Sequence, residues 1–133
     1  MKIQTVSLIA LINEDNKVLI SLRNKSKEYK HFWEYPGGKV KENESISQAL
    51  LREIREELGI ILQDQCNAPL TFAIDKSFEK ETLLLLFTSR KWLGNPQTLE
   101  DQTIKWIRSD QLNNYKMPPA NLFLNSILRD WLR

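Results

Sequence analysis

Three glutamates at helical spacing are the side chains in this sequence best suited to chemistry. Glu53, Glu56 and Glu57 stand at positions i, i+3 and i+4, so a helix places them on one face. Arg52 can pair with Glu56 one turn later, which leaves the other two carboxylates in need of a partner. A hard divalent cation such as Mg²⁺ fits that need, because it binds carboxylate oxygens and takes substrate phosphates as further ligands. The helix alone favours a solvated, salt-bridged face, and a metal site that acts on a phosphate is the alternative that the neighbouring residues must support.

The helix that must position these glutamates is predicted from about Ser45 to Leu58. Ser45 followed by Gln48 is a capping-box pattern, and Gly59 suits the left-handed residue that ends helices. The acidic face borders the apolar stripe instead of lying opposite it, where a purely solvated face is expected. The apolar stripe consists of Leu50, Leu51, Ile54 and Leu58.

A glycine-containing loop precedes this helix. Gly37 and Gly38 follow Pro36, and glycines let the main chain approach a phosphate or a metal closely. Lys39 adds a positive charge suited to a polyphosphate. Taken alone the loop also fits an ordinary turn.

The rest of the chain reads as strands and one further helix. The predicted strands are Ile3–Ile12, Lys17–Leu22, Phe32–Tyr35, Thr71–Ile74, Thr82–Thr88 and Thr103–Ile107. The first two are expected to form a hairpin, and the apolar run in Thr82–Thr88 is expected to be buried on both faces. A C-terminal amphipathic helix is predicted over Asn121–Leu132. Its core-facing residues are expected to be Leu124, Ile127, Leu128 and Trp131. This order predicts one α/β domain over residues 1–133.

Composition limits the classes of function. The chain carries 19 basic and 17 acidic residues, and its net charge of +2 is too small to argue for nucleic-acid binding. The N-terminal apolar stretch is interrupted by Gln4 and Ser7, which disfavours a secretion signal, and no stretch approaches the ~20 apolar residues of a membrane span. Cys66 is the only cysteine and is expected to be a buried free thiol. We therefore expect a cytoplasmic monomer or homodimer with no membrane and no stable nucleic-acid partner.

The segment from Gly38 to Ile60 resembles the signature of the Nudix hydrolase family. Every defined position of that signature is matched, namely by Gly38, Glu44, Arg52, Glu53, Ile54, Glu56, Glu57, Gly59 and Ile60. The resemblance implies an α/β/α sandwich around a mixed β-sheet. It also implies hydrolysis of a nucleoside diphosphate linked to another group, with Mg²⁺ as the cofactor and Mn²⁺ as a substitute.

Roles for individual residues follow from the same resemblance. Glu53, Glu56 and Glu57 are expected to bind the metal and carry catalysis, with Glu53 as the candidate base. The carbonyl of Gly37 is a further expected metal ligand. The residues expected to give structural support are Gly38, Glu44 and Arg52.

Outside the signature, the chain is similar to the MutT-like branch of the family, the 8-oxo-dGTP diphosphatases. The similarity lies in Leu22-Arg23, the run Glu34–Lys39 and the sequence Pro-Pro-Ala-Asn at 118–121. It implies that Asn121 reads the oxidised purine, although Asn also favours helix N-caps. Glu100 is implied as an extra metal ligand. The substrate-binding residues implied are Arg23, Glu34, Tyr35, Lys39 and Asn121.

The leading expectation is therefore release of pyrophosphate from 8-oxo-dGTP or dGTP, a small nucleotide substrate, in the service of DNA replication and repair. Three alternatives stay open. A pyrimidine nucleotide such as CTP or a modified dCTP needs the same metal chemistry. A non-catalytic Nudix binding module needs the fold alone. A small nucleic-acid-binding protein rests on the lysine cluster at 25–30.

Overall fold

The computed structural model describes residues 3–24 and 28–133, so part of the lysine cluster at 25–30 lies outside the described residues. Two α-helices occur in these ranges, α1 (Ile46–Leu58) and α2 (Asn121–Trp131). Short 3₁₀ turns cover Asp64–Cys66 and Ser109–Asn114. The strands are β1 (Ile3–Leu11), β2 (Lys17–Leu22), β3 (Trp33–Glu34), β4 (Gly37–Lys39), β5 (Ile61–Leu62), β6 (Asn67–Asp75), β7 (Glu81–Ser89), β8 (Trp92–Leu93) and β9 (Thr103–Arg108).

The strands form a mixed sheet and two smaller antiparallel groups. The four-stranded sheet has the order β4-β1-β7-β6, in which β1 and β7 run parallel along their whole length and the other pairs are antiparallel. A three-stranded sheet has the order β3-β2-β9, and β5 pairs with β8. This architecture confirms the predicted α/β class with a mixed sheet.

Strands β1 and β2 separate two hydrophobic cores. Leu8 and Ala10 of β1 face the core that α2 covers, whereas Ile9 and Leu11 face the core that α1 covers. Side chains alternate in this way because successive residues of a strand point to opposite faces. The two helices therefore enclose the sheets as outer layers of an α/β/α sandwich. Neither helix, nor any other helical segment in the described ranges, has the length and apolarity needed to cross a membrane.

The predicted hairpin of the first two strands is confirmed only at its turn. A tight turn joins them, with the amide of Asn13 donating to the carbonyl of Lys17 and a single bridge between Ile12 and Val18. Beyond that point β1 pairs with β7 and β4, whereas β2 pairs with β9 and β3. The two strands therefore share only the turn, and each belongs to a separate sheet.

Two expectations about burial need correction. Strand β7 is not buried on both faces: Leu84 and Leu86 are buried, whereas the alternate residues are half-buried. Cys66 is a free thiol but only half-buried.

The buried face of α2 also differs from the prediction. Trp131 is 45% exposed, and the guanidinium of Arg90 lies over its ring at 5.6 Å. Leu124 and Leu128 are buried as predicted, Ile127 is half-buried, and Asn121 and Asn125 take the other buried positions. Asn125 is buried because its Oδ1 accepts a hydrogen bond from the hydroxyl of the buried Tyr35.

Candidate metal and nucleotide site

Helix α1 is fixed at both ends, which fixes the direction of its glutamates. The hydroxyl of Ser45 accepts a hydrogen bond from the amide of Gln48 at 3.1 Å, and the Gln48 side chain accepts one from the amide of Ser45 at 2.8 Å. Gly59 ends the helix with a φ of 69°. The predicted capping box and left-handed C-cap are therefore confirmed.

Glu57 is a buried carboxylate with little compensation for its charge. Its side chain is 8% exposed, and its Oε2 accepts a hydrogen bond from the amide of Gly37 at 3.0 Å. Burial, followed by the charge of Glu34, raises the pKa of Glu57 to about 9. Within residues 3–24 and 28–133 no Lys or Arg forms an ion pair with this carboxylate. A bound divalent cation would stabilise the ionised form.

Glu53 lies directly against the glycine loop. A Cβ added at Gly38 would lie 2.4–2.7 Å from the three carboxyl atoms of Glu53, so any larger residue here requires the Glu53 carboxyl group to move. Burial raises the pKa of Glu53, although a hydrogen bond from Arg52 at 2.8 Å opposes that shift. Strand β4 thus forms a cradle for the carboxylate, and the predicted glycine loop is wrong, because Gly37 and Gly38 belong to a strand that pairs with β1.

Arg52 connects the helix, the loop and the glutamates. Its guanidinium donates to both oxygens of Glu44 at 2.6 and 2.9 Å, and to the carbonyl of Lys39 at 3.1 Å. These hydrogen bonds hold the pKa of Glu44 down at about 2. The pair with Glu56 is also present, at 3.4 Å, and Glu56 is exposed. This is the geometry that the expected supporting role of Arg52 and Glu44 requires, since the fork of Arg orients carboxylates.

The buried carboxylates border a cavity of about 280 Å³, which we call the acidic cleft. Its lining residues are Ser21, Leu22, Arg23, Asn24, Glu34, Gly37, Glu53, Glu57, Glu100 and Gln102. Three of the expected glutamate ligands therefore share one space, whereas Glu56 lies outside it. In the described ranges no three Asp, Glu, His or Cys side chains form a preformed metal cage. The oxygen-rich lining fits Mg²⁺, which completes its shell with water and phosphate oxygens.

A second cavity, of about 350 Å³, adjoins the acidic cleft, and we call it the nucleoside cavity. Its lining residues are Gln4, Val6, Leu8, Arg23, Glu28, Tyr29, Glu34, Lys39, Asp75, Lys80, Thr82, Leu84, Pro118 and Asn121. Arg23 and Glu34 line both cavities and are joined by a hydrogen bond of 2.5 Å. Burial raises the pKa of Glu34 to about 7, although the guanidinium of Arg23 opposes that shift. The pair therefore stands at the boundary between the two spaces.

Asn121 faces the nucleoside cavity from the start of α2. The N-cap of α2 is Ala120, which makes no side-chain capping bond, so Asn121 does not serve as the cap. The residue is 3% exposed, and its amide nitrogen contacts the sulfur of Met117 at 3.9 Å. Its amide group is thus held by burial at the wall of this cavity.

Tyr35 does not line either cavity, so its expected contact with the substrate is wrong for this structure. It is fully buried, and its hydroxyl donates to Oδ1 of Asn125 at 2.6 Å. The ring belongs to the core beneath α2 because Tyr35 follows the edge strand β3 and points inward. Lys39, by contrast, is exposed at the rim of the nucleoside cavity.

Sequence reasoning missed several residues that line the nucleoside cavity. Gln4, Asp75 and Thr82 come from three strands that are distant in sequence, and Tyr29 comes from the loop after β2. The alternation of polar and apolar residues at the strand ends was the available signal. It could not identify neighbours without the register between strands.

Comparison with known proteins agrees with this geometry. The sequence profile of the NUDIX domain matches residues 1–130. The chain is 36% identical over 115 residues to an 8-oxo-dGTP diphosphatase of Buchnera aphidicola subsp. Schizaphis graminum, with 86% of this chain and 85% of that one covered. It is 31% identical over 118 residues to the CTP pyrophosphohydrolase of Escherichia coli K12, with 85% and 82% covered. A MutT structure from a study of the Aliivibrio salmonicida and Vibrio cholerae proteins superposes with a TM-score of 0.81 at 26% identity, covering 98% and 99% of the chains.

Proposed function

Because the chain belongs to the Nudix family, we propose that it hydrolyses a nucleoside triphosphate, 8-oxo-dGTP or dGTP, to the monophosphate and pyrophosphate. The observation that carries this proposal is the shared wall of the two cavities. Arg23 and Glu34 border both the acidic cleft and the nucleoside cavity. A nucleoside in one cavity therefore extends its phosphates towards the carboxylates in the other. In this proposal, residues 1–133 form a single Nudix domain.

Mg²⁺ is the proposed cofactor, with Mn²⁺ as a substitute. Glu53, Glu57, the carbonyl of Gly37 and Glu100 border the cleft and are the proposed ligands, and Glu56 joins them from the helix surface. A bound Mg²⁺ neutralises phosphate charge and lowers the pKa of a coordinated water. Glu53 is the proposed base, because its carboxylate is half-buried, open to the cleft and held in place by Arg52.

The remaining roles fall to residues of the nucleoside cavity. Arg23 and Lys39 place positive charge beside the path of the polyphosphate. Asn121 offers an amide that both donates and accepts, which suits the edge of a purine. Binding energy from the base then positions the phosphates for attack.

A second candidate is the hydrolysis of a pyrimidine nucleotide. The CTP pyrophosphohydrolase that this chain resembles supports it, because the same cleft chemistry applies and only the base differs. Replacing Asn121 by alanine separates the two candidates. A shift in base preference supports purine reading by Asn121, and an unchanged preference favours the pyrimidine or a base read elsewhere.

The proposed setting is the cytoplasm, where removal of oxidised nucleotides would protect DNA replication. The chain is proposed to act as a monomer or homodimer on a free nucleotide, without a stable nucleic-acid partner. A single cysteine and a small net charge are the features that support this setting.

Glu53→Gln provides the test of the chemistry. We expect this variant to lose pyrophosphate release from 8-oxo-dGTP and from dGTP, while its circular dichroism spectrum stays that of the wild type. Glu42→Gln is the matched control, because Glu42 is exposed and lies before α1, outside both cavities. Retained activity in Glu53→Gln would contradict the assignment of the base. Loss of activity in both variants would point to a general effect of charge.

A further inference from the structure

Three polar side chains form one row across the four-stranded sheet. In the register of β1, β7 and β6, Gln4 is the partner of Thr82, and Thr82 is the partner of Asp75. All three line the nucleoside cavity. The row therefore lines the sheet side of the cavity with polar side chains. These side chains come from strands that are distant in sequence from Asn121.

The next row along the same strands is apolar. Val6, Leu84 and Ala73 are partners in the register, and all three pack into the core beneath α2. Val6 and Leu84 also line the cavity. The sheet thus offers an apolar floor, against which a base can stack or pack, ending in a row of hydrogen-bonding groups.

Thr82 is a mostly buried residue whose side chain lines the cavity. The residue is 8% exposed. Asp75 is already engaged, since its two carboxylate oxygens accept from the amide of Ser77 at 2.8 Å and from the hydroxyl of Tyr29 at 3.0 Å. In the ranges 3–24 and 28–133 no hydrogen bond satisfies the Thr82 hydroxyl. A hydroxyl that lines a cavity without a protein partner is available to a ligand, and a ligand that covers it without pairing incurs the cost of an unmade hydrogen bond.

We propose that Thr82 is a specificity-determining residue of the nucleoside cavity, whose hydroxyl hydrogen-bonds the edge of the nucleobase from the sheet side. This inference rests on the proposed function. Asn121 meets the base from α2, and Thr82 meets it from β7, so two separate elements read one planar ligand. A hydroxyl both donates and accepts, and a site with such a group discriminates against a base that leaves it unpaired.

Thr82→Val and Thr82→Ser test the hydroxyl separately from the shape of the side chain. Valine keeps the shape and removes the hydroxyl, whereas serine keeps the hydroxyl and removes a methyl group. The matched control is Thr88→Val, because Thr88 lies on the same strand and the same face and is 3% exposed, yet is outside the nucleoside cavity. The measurement is kcat/KM with 8-oxo-dGTP, dGTP, CTP and dCTP, with thermal unfolding as the test of folding.

We expect Thr82→Val to lower kcat/KM for the preferred nucleotide by roughly 3- to 10-fold, the range expected for one hydrogen bond. The loss should appear as a higher KM. For the disfavoured nucleotides kcat/KM should change less than about twofold, so the ratio of kcat/KM between preferred and disfavoured nucleotides becomes smaller. Thr82→Ser and Thr88→Val should keep the wild-type preference.

Two results would overturn the inference while leaving the proposed function intact. One is an unchanged preference in Thr82→Val. The other is an equal loss for all four nucleotides, or the same loss in Thr82→Ser, which would assign Thr82 to packing. If the wild-type protein hydrolyses none of the four nucleotides, the proposed function itself fails and the role of Thr82 fails with it.

Discussion

Replacing Gly38 by alanine would place a methyl carbon 2.4–2.7 Å from the carboxyl group of Glu53. Ordinary contact begins at about 3.4 Å, so Glu53 must retreat by about 1 Å. Gly38 does not have a positive φ, so its backbone accepts alanine without strain. A displacement of about 1 Å in a catalytic group can cost on the order of 100-fold in rate, which corresponds to about 2.7 kcal/mol.

The assay for Gly38→Ala is steady-state pyrophosphate release with Mg²⁺. We expect kcat/KM to fall about 100-fold, with the far-ultraviolet spectrum of the folded protein retained. Wild-type kcat/KM in Gly38→Ala would refute the reasoning, because it would show that the exact place of the Glu53 carboxyl group is immaterial.

A double-mutant cycle identifies the cause of the effect. Glu53→Ala removes the atoms that the new methyl group would meet, so Gly38→Ala should lower the melting temperature in the wild-type background and change it little in the Glu53→Ala background. An equal drop in both backgrounds would show that the added methyl group acts on the backbone and not on Glu53.

Three further predictions follow from the contacts around the site. Burial raises the pKa of Glu57 from 4.5 to about 9. The folded state therefore binds this proton more tightly than the unfolded state does. In EDTA, the free energy of unfolding should accordingly fall as the pH rises from about 4.5 to 9. Glu57→Gln should flatten that fall and raise the melting temperature at pH 8 while abolishing activity; an unchanged pH profile would contradict this. Arg52→Lys should weaken Mg²⁺ binding by roughly 10- to 100-fold in a titration, because lysine cannot donate two parallel hydrogen bonds to the carboxylate of Glu44. An Mg²⁺ affinity equal to that of the wild type would contradict this prediction. Tyr35→Phe should lower the free energy of unfolding in urea by about 1–3 kcal/mol, because Oδ1 of Asn125 loses its buried donor. The KM should stay unchanged. A raised KM at unchanged stability would instead place Tyr35 in the substrate site.

The helix that carries the carboxylates was predictable because its signals are local. Ser45, Gln48 and Gly59 lie at fixed offsets from the helix ends, and the structure uses all three as caps. The face shared by Glu53 and Glu57 follows from helical geometry alone. Local patterns of this kind do not depend on which strands meet elsewhere in the chain.

The parts that were not predictable depend on contacts between distant segments. Tyr35 adjoins the glycine loop in sequence, yet its partner Asn125 lies 90 residues away and draws it into the core. Trp131 continues the apolar spacing of α2 but extends past the edge of the core, where Arg90 covers it. The row that contains Thr82 exists only through the register of β1, β7 and β6. A sequence pattern gives the face of each residue, whereas the neighbour across the sheet comes from pairing.

The most direct test of the central claim is kcat/KM for pyrophosphate release with Mg²⁺, measured side by side for 8-oxo-dGTP, dGTP, CTP and dCTP. The account predicts turnover that is lost in EDTA and a preference for 8-oxo-dGTP on the order of 100-fold, which corresponds to about 2.7 kcal/mol of differential transition-state binding. A preference for a pyrimidine nucleotide would leave the metal chemistry intact and discard the oxidised purine as the substrate. No turnover of any of the four would contradict the assignment of the acidic cleft as a nucleoside triphosphate diphosphatase site.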